Sequence, residues 1–223
     1  MSYAIFLLRH IFDLPKTIWF NLRVLPLHQA IKFPILISHR VKIGQIHKEC
    51  IELNLSVLKP FIVKIGTEGV EGVSDNRRGY LLLGNSAKIV FNGKASLSKG
   101  ISIRNSGTVT FGKNFYCNCN LSIICGKSIS FGDDCILGWN VHIRDCDGHS
   151  LFQNGERINP NIDVQIGNHV WIGQDVKILK GSVIPENSVI AMNSCVTKSF
   201  TEPKTIIGGY PAKVIKQNVD WEV

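Results

Sequence analysis

From Ile166 onward an aliphatic residue returns at every sixth position: Ile166, Ile172, Ile178, Ile184, Ile190 and Val196. The fifth place of each hexad holds Val170, Val176, Ser182, Ser188, Ser194 and Phe200, and the second place holds Gly, Gly, Leu, Pro, Ala and Thr. A period of six fits neither the 3.6 of an α-helix nor the 2.0 of a long strand, so each hexad predicts a short strand followed by a corner. Three hexads make one triangular coil. Its first and fifth residues point into a narrow prism, and successive coils stack at the strand spacing of about 4.8 Å.

Upstream the pattern recurs at twenty-residue spacing, with FNGKAS at 91, FGKNFY at 111 and FGDDCI at 131. Hexads starting at 91, 97 and 103, and again at 111, 117 and 123, leave two extra residues per coil that a corner can bulge out. The third coil reaches Ile143. The period is then lost from Arg144 to Asp163 and resumes at Ile166, which predicts an inserted loop over 144–163, longer than most structureless connections and of the kind that carries function. Before Leu82 the repeat is weak, with VKIGQI and FIVKIG as candidates for an initial coil. Ser2 to Ala30, with mixed spacing and Pro15 as a breaker, reads as broken helix. The chain therefore divides into a basic, partly helical segment (1–40), a repeat domain (41–216) and a short tail (217–223). The predicted class is all-β.

Composition changes this picture in two places. Hydrophobic residues make up 44% and glycine occurs 20 times, which suits a β-rich core with many turns. The seven cysteines are an odd number scattered through the chain, with no signal peptide and cleavage site ahead of them, so reduced thiols and a cytoplasmic location are expected. The net charge is +8, and residues 1–48 hold seven Lys or Arg against Asp13 alone. Arg23 and Lys32 interrupt the apolar run from Thr17 to Ser38, so no spanning helix is expected. Mixed with Phe6, Trp19, Phe20 and Phe33, the basic residues predict peripheral contact at the anionic inner face of a membrane, each contributing roughly 1 kcal/mol. The alternative is a solvated basic face packed against the domain.

The loop opens with RDCDGHSL, placing Asp145, Asp147 and His149 within five residues. Histidine is the side chain suited to proton abstraction at neutral pH, which makes His149 the candidate base and Asp147 the nearer carboxylate to orient it. DCDG read as a plain turn is the alternative. His142, outward-facing beside inward Val141 and Ile143, is the second candidate base. Cys117, Cys119 and His142 do not make a zinc site, since CxC is a poor match to structural spacings. Asp145 and Asp147 lack a calcium loop's glycine, because Ser150 stands sixth. No metal is expected. Neither a phosphate-binding glycine loop nor a nucleic-acid motif is present.

Together NFYCNCNLSII from Asn114, FGDDCILGWNV from Phe131, DGH at 147, IGNHVWIG from Ile166 and IIGGYPAKVI from Ile206 resemble the hexapeptide-repeat acetyltransferases. In layout they are similar to the maltose, galactoside and xenobiotic enzymes, and the loop is most like those that acetylate bacterial envelope polysaccharides. The resemblance implies a left-handed parallel β-helix, acetyl-CoA as acyl donor and a homotrimer with sites between neighbouring prisms. It implies His149 as general base and Asn118 as oxyanion donor, although the separation of these two is one residue longer than in the galactoside enzymes. It places Trp171 in a ligand cleft, with Gln174, Met192, Thr197 and Lys198 at coil edges that meet coenzyme A. Lys213 and Lys216 match basic positions able to pair with the coenzyme's phosphates. The expected reaction is O-acetylation of a sugar hydroxyl in an envelope polysaccharide or its lipid-linked precursor, with serine or a xenobiotic as other acceptors. A metal hydratase like the γ-class carbonic anhydrases, built on His142, His149 and His169, and a non-catalytic scaffold are the rivals.

Overall fold

The structure, a computed structural model, describes residues 8–69 and 77–222. Phe6 of the basic segment and the last residue of the tail lie outside them. The chain winds as a left-handed parallel β-helix whose three faces are sheets of nine, seven and six strands. In a regular coil the first face carries Phe115–Cys117, the second Ser122–Cys125 and the third Ser128–Phe131. Register measures the coils directly. Phe115 pairs with Ala95 and Ser122 with Ser102, a step of twenty; Ile136 pairs with Trp171, a step of thirty-five across the loop; Trp171 pairs with Val189, a step of eighteen.

The hexad positions are the core. Ile166, Ile172, Ile178, Ile184, Ile190 and Val196 are buried, as are Val170, Val176, Ser182, Ser188, Ser194 and Phe200. In the wider coils Phe91, Phe111 and Phe131 stack up the third face at centroid distances of 5.1 and 5.3 Å, each such pair adding about 1 kcal/mol beyond its burial. Cys117 fills an inward place and its burial pushes the thiol up to about 12. All seven cysteines are buried thiols.

The two extra residues of the twenty-residue coils do not bulge out. They lengthen the second and third faces and add one inward column at the corner between them, running through Leu83, Asn105, Cys125 and Asp145. The physical reason is that a polar residue there closes the corner's own backbone: Asn105 donates to the Lys88 carbonyl and accepts from the Gly107 N–H, both at 2.7–2.8 Å. At the other two corners the sharp bend is taken by left-handed residues, among them Asn120, Asn140 and Asp175 with φ of 69°, 56° and 58°, which Asn and Asp tolerate best.

The β-coils begin earlier than position 41. Strand β1, Ile35–Ile37, already pairs with Val63–Ile65, because Pro34 ends the helical segment and three consecutive apolar residues fit a strand buried throughout. Helix α1, Leu14–Val24, lies across this end of the stack. Its Asn21 side chain accepts from the Ile35 N–H at 3.1 Å and donates to the Ile35 carbonyl at 2.7 Å. Thr17 does the same for Ile37. Side chains of the helix thus satisfy the open strand edge that another chain could otherwise extend. A second, four-residue helix follows at Leu27–Ala30. The tail does not trail away either: Val219 N–H bonds to the Lys204 carbonyl and Asp220 pairs with Lys204.

Candidate active site

The inserted loop leaves the second face after His142–Arg144 and returns at Val164–Ile166 on the third, carrying a small hairpin of Phe152–Gln153 and Glu156–Arg157. Asp145, fully buried, fixes its root by accepting from the backbone N–H groups of Gly126, Lys127 and Ser128 at 2.6–2.7 Å. Fourteen residues on, Asn159 closes the loop's neck. Its amide donates to the His149 carbonyl at 2.8 Å and to Asp147 Oδ2 at 2.9 Å, and its oxygen accepts from the Leu151 N–H at 2.6 Å.

His149 is exposed on this pinned loop, and its ring makes no hydrogen bond among the described residues. Asp147 is not its partner. The carboxylate faces Lys180 Nζ at 2.6 Å across the corner, and the bonds from Lys180 and Asn159 hold its pKa below the usual carboxylate value. Lys180 lies 33 residues away, so a cation from the next coil captured the acid that sequence proximity had assigned to the imidazole. Asp147 therefore orients the loop that carries His149. Its neighbour Arg144 donates to the Cys146 carbonyl at 2.6 Å and lines, with His142, Lys177 and Leu179, a groove of about 270 Å³ on the second face beside the loop root. Burial, and then the charges of Lys177 and Arg77, push the pKa of His142 down.

The other residues expected at the site fall into separate groups. Thr197 and Lys198 follow the second-face strand Cys195–Val196, so they share the corner of the His149 loop, where Lys198 Nζ sits 5.4 Å from the Phe200 ring centroid. Asn118, Gln174 and Met192 occupy the opposite edge of the second face, in the turns that follow first-face strands. One chain therefore places Asn118 and His149 at different corners. Asn118 has a defined orientation: the Tyr116 hydroxyl donates to its Oδ1 at 2.9 Å, which turns the amide N–H₂ away and leaves it as a donor. Trp171 stands half-exposed on the first face, and Lys213 and Lys216 are exposed on Ala212–Lys216, the antiparallel strand that ends that face.

Two functional candidates escaped sequence reading. Tyr116 is one. The other is Trp221 of the tail, which stacks on His169 at 4.0 Å and 7° and lies 6.1 Å from Trp171. Its Nε1–H donates to the His169 carbonyl at 3.0 Å, and His169 Nε2 pairs with the Trp221 carbonyl at 3.1 Å. His169 is thereby packed on its ring face and hydrogen-bonded through Nε2 to the tail. Among the described residues no group of three or more His, Cys, Asp or Glu is placed to hold a metal.

A prism of hexad coils defines a class of protein by its architecture, the left-handed parallel β-helices, and here one corner loop carries an exposed histidine. No family model matches the chain. A polysialic acid O-acetyltransferase of Neisseria meningitidis is 42% identical over 128 residues, 56% of this chain and 57% of the relative. An Escherichia coli K12 protein whose name proposes lipopolysaccharide O-acetyl transfer is 30% identical over 136 residues, 55% of this chain and 69% of the relative. The solved structure of the polySia specific acetyltransferase NeuO shares the fold, with a TM-score of 0.54 at 22% identity over 85% of this chain and 79% of that one. The chain spans about half the length of the first curated relatives it matches. It belongs to the hexapeptide-repeat acetyltransferase family.

Among the described residues no helix is long and apolar enough to cross a membrane.

Proposed function

We propose that this protein is an acetyl-CoA dependent O-acetyltransferase acting on a sugar hydroxyl of an envelope polysaccharide or its lipid-linked precursor, as a homotrimer held peripherally at the inner face of the membrane. The observation that carries the reading is the exposed, unengaged imidazole of His149 on a loop pinned by Asp145 and Asn159. It is supported by relatives whose names specify O-acetyl transfer to polysialic acid and in lipopolysaccharide biosynthesis.

In this reaction His149 takes the proton of the acceptor hydroxyl as the oxygen attacks the thioester carbonyl. The tetrahedral oxyanion accepts from the Asn118 amide, whose direction Tyr116 sets. On collapse the C–S bond breaks, and the imidazolium returns its proton to the departing thiolate, giving ester and free coenzyme thiol. Since His149 and Asn118 stand at different corners, the complete site is built from two chains. The loop around His149 exposes Leu151, Phe152, Ile158 and Ile162, each 45% or more accessible, an apolar surface of the kind that a neighbouring subunit covers. Trp171, Gln174 and Met192 of the adjoining chain, with Thr197, Lys198, Lys213 and Lys216, supply the coenzyme contacts.

The test is incubation of the purified protein with acetyl-CoA and a panel of acceptors while free thiol is followed. Thiol release stimulated by an envelope oligosaccharide is the expected result. Release that no hydroxyl-bearing acceptor stimulates would refute the reading.

A further inference from the structure

Helix α1 has two stripes, a mixed one and an apolar one. One, with Thr17, Phe20, Asn21 and Val24, is buried against the first coil. The other runs through Ile18, Trp19 and Leu22, at helical spacing of i, i+1 and i+4, and continues into Ile11 and Phe12 before the helix and Leu27 and Ile31 after it. Phe12 is 77% exposed, Trp19 48% and Leu22 49%. The described residues leave this second stripe uncovered.

Its surroundings are cationic. Asp13, the one carboxylate in residues 1–48, is 7% exposed and turned inward onto His10 and His39 at 2.9 and 2.7 Å. Burial alone would raise its pKa, but hydrogen bonds from His10 and from the ring and backbone N–H of His39 bring it below the usual value. Its negative charge is therefore kept but not presented to solvent. Phe12 leans on the His39 ring at 6.2 Å. His39 in turn lines an open groove of about 740 Å³ with Arg40, Lys42 and Arg78, and Lys16 donates to the His39 and Val41 carbonyls, tying the helix to that wall. Apolar stripe and basic groove thus form one continuous surface at the end of the prism.

We propose that this surface docks on an anionic lipid bilayer, with Ile11, Phe12, Ile18, Trp19, Leu22 and Leu27 entering the headgroup–acyl boundary and the groove taking lipid phosphates. An apolar face edged with Lys and Arg is what an interfacial helix requires, and the arrangement fits a bilayer better than a second copy, whose matching surface would carry the same charge. The docking gives the peripheral location proposed above a defined surface. It is independent of acetyl transfer, so its failure leaves the thiol-release result standing.

The experiment is co-sedimentation of the intact protein with vesicles of phosphatidylcholine alone or mixed with phosphatidylglycerol. The protein is expected to pellet with the anionic vesicles only, and less as salt is raised. Trp19→Ser/Leu22→Ser is expected to lower pelleting by about tenfold or more with unfolding midpoint and oligomeric state unchanged. Lys42→Gln/Arg78→Gln, which touches exposed side chains alone, is expected to lower vesicle affinity about 25-fold, since each of the two basic residues near such a surface is worth about fivefold. Protein left in the supernatant with anionic vesicles, or pelleting that both variants retain, would overturn the proposal. A serine variant that changes the oligomeric state while vesicle binding persists would also overturn it and make the stripe a contact between copies.

Discussion

At the residue scale the imidazole of His149 was legible because RDCDGHSL breaks a strict period, and a break in a repeat marks the place where something other than packing was selected. Its surroundings were not legible. Asp145 and Asp147 differ by two positions, yet one is fully buried on three backbone N–H groups while the other faces Lys180. Only the coil geometry separates them, by continuing the inward column through Asp145. The Tyr116 bond that aims the Asn118 amide and the Trp221 ring on His169 were likewise invisible. The first needs side-chain direction on a strand, and the second joins residues 52 apart. If His149 is the base, His149→Ala lowers acetyl transfer by about 100-fold or more, the scale of general-base catalysis. A coupled assay of thiol release on folded variant protein reads this directly.

At the scale of elements, the regular coils could be read from sequence because one buried column is aliphatic at every sixth residue. The first coils could not, since the step from Ile35 to Val63 is twenty-eight residues and that from Lys42 to Tyr80 thirty-eight. Connections of different length between strands erase the period even though the strands stack as before. The inserted loop runs between the strands His142–Arg144 and Val164–Ile166, and its hairpin was missed because Phe152–Gln153 and Glu156–Arg157 are two residues each and exposed. What holds the loop is Asp145. Asp145→Ala leaves three part-buried backbone donors without their acceptor and is expected to cost about 2 to 4 kcal/mol, measured by denaturant unfolding. Asp145→Asn, which retains an acceptor, should cost less. Activity should fall in both, because the root of the loop that carries His149 is no longer fixed.

At the scale of the whole molecule, the prism separates two jobs along its length. The N-terminal end is sealed by a helix whose outer stripe is apolar and basic-rimmed, while the loop and the coil edges lie further along the stack. In the proposed mechanism neither His149 nor Asn118 suffices at its own corner, and the proposed homotrimer, a closed ring in which each chain presents its loop to the next, would complete a site. The measurement that tests this most directly is co-expression of His149→Ala with Asn118→Ala chains, followed by assay of the mixed oligomers. Each variant alone should be nearly inactive, and random mixing in a head-to-tail ring should restore about a quarter of the wild-type rate, because about one site in four pairs an intact His149 with an intact Asn118 from its neighbour. Mixed oligomers no more active than the single variants would contradict a site shared between chains.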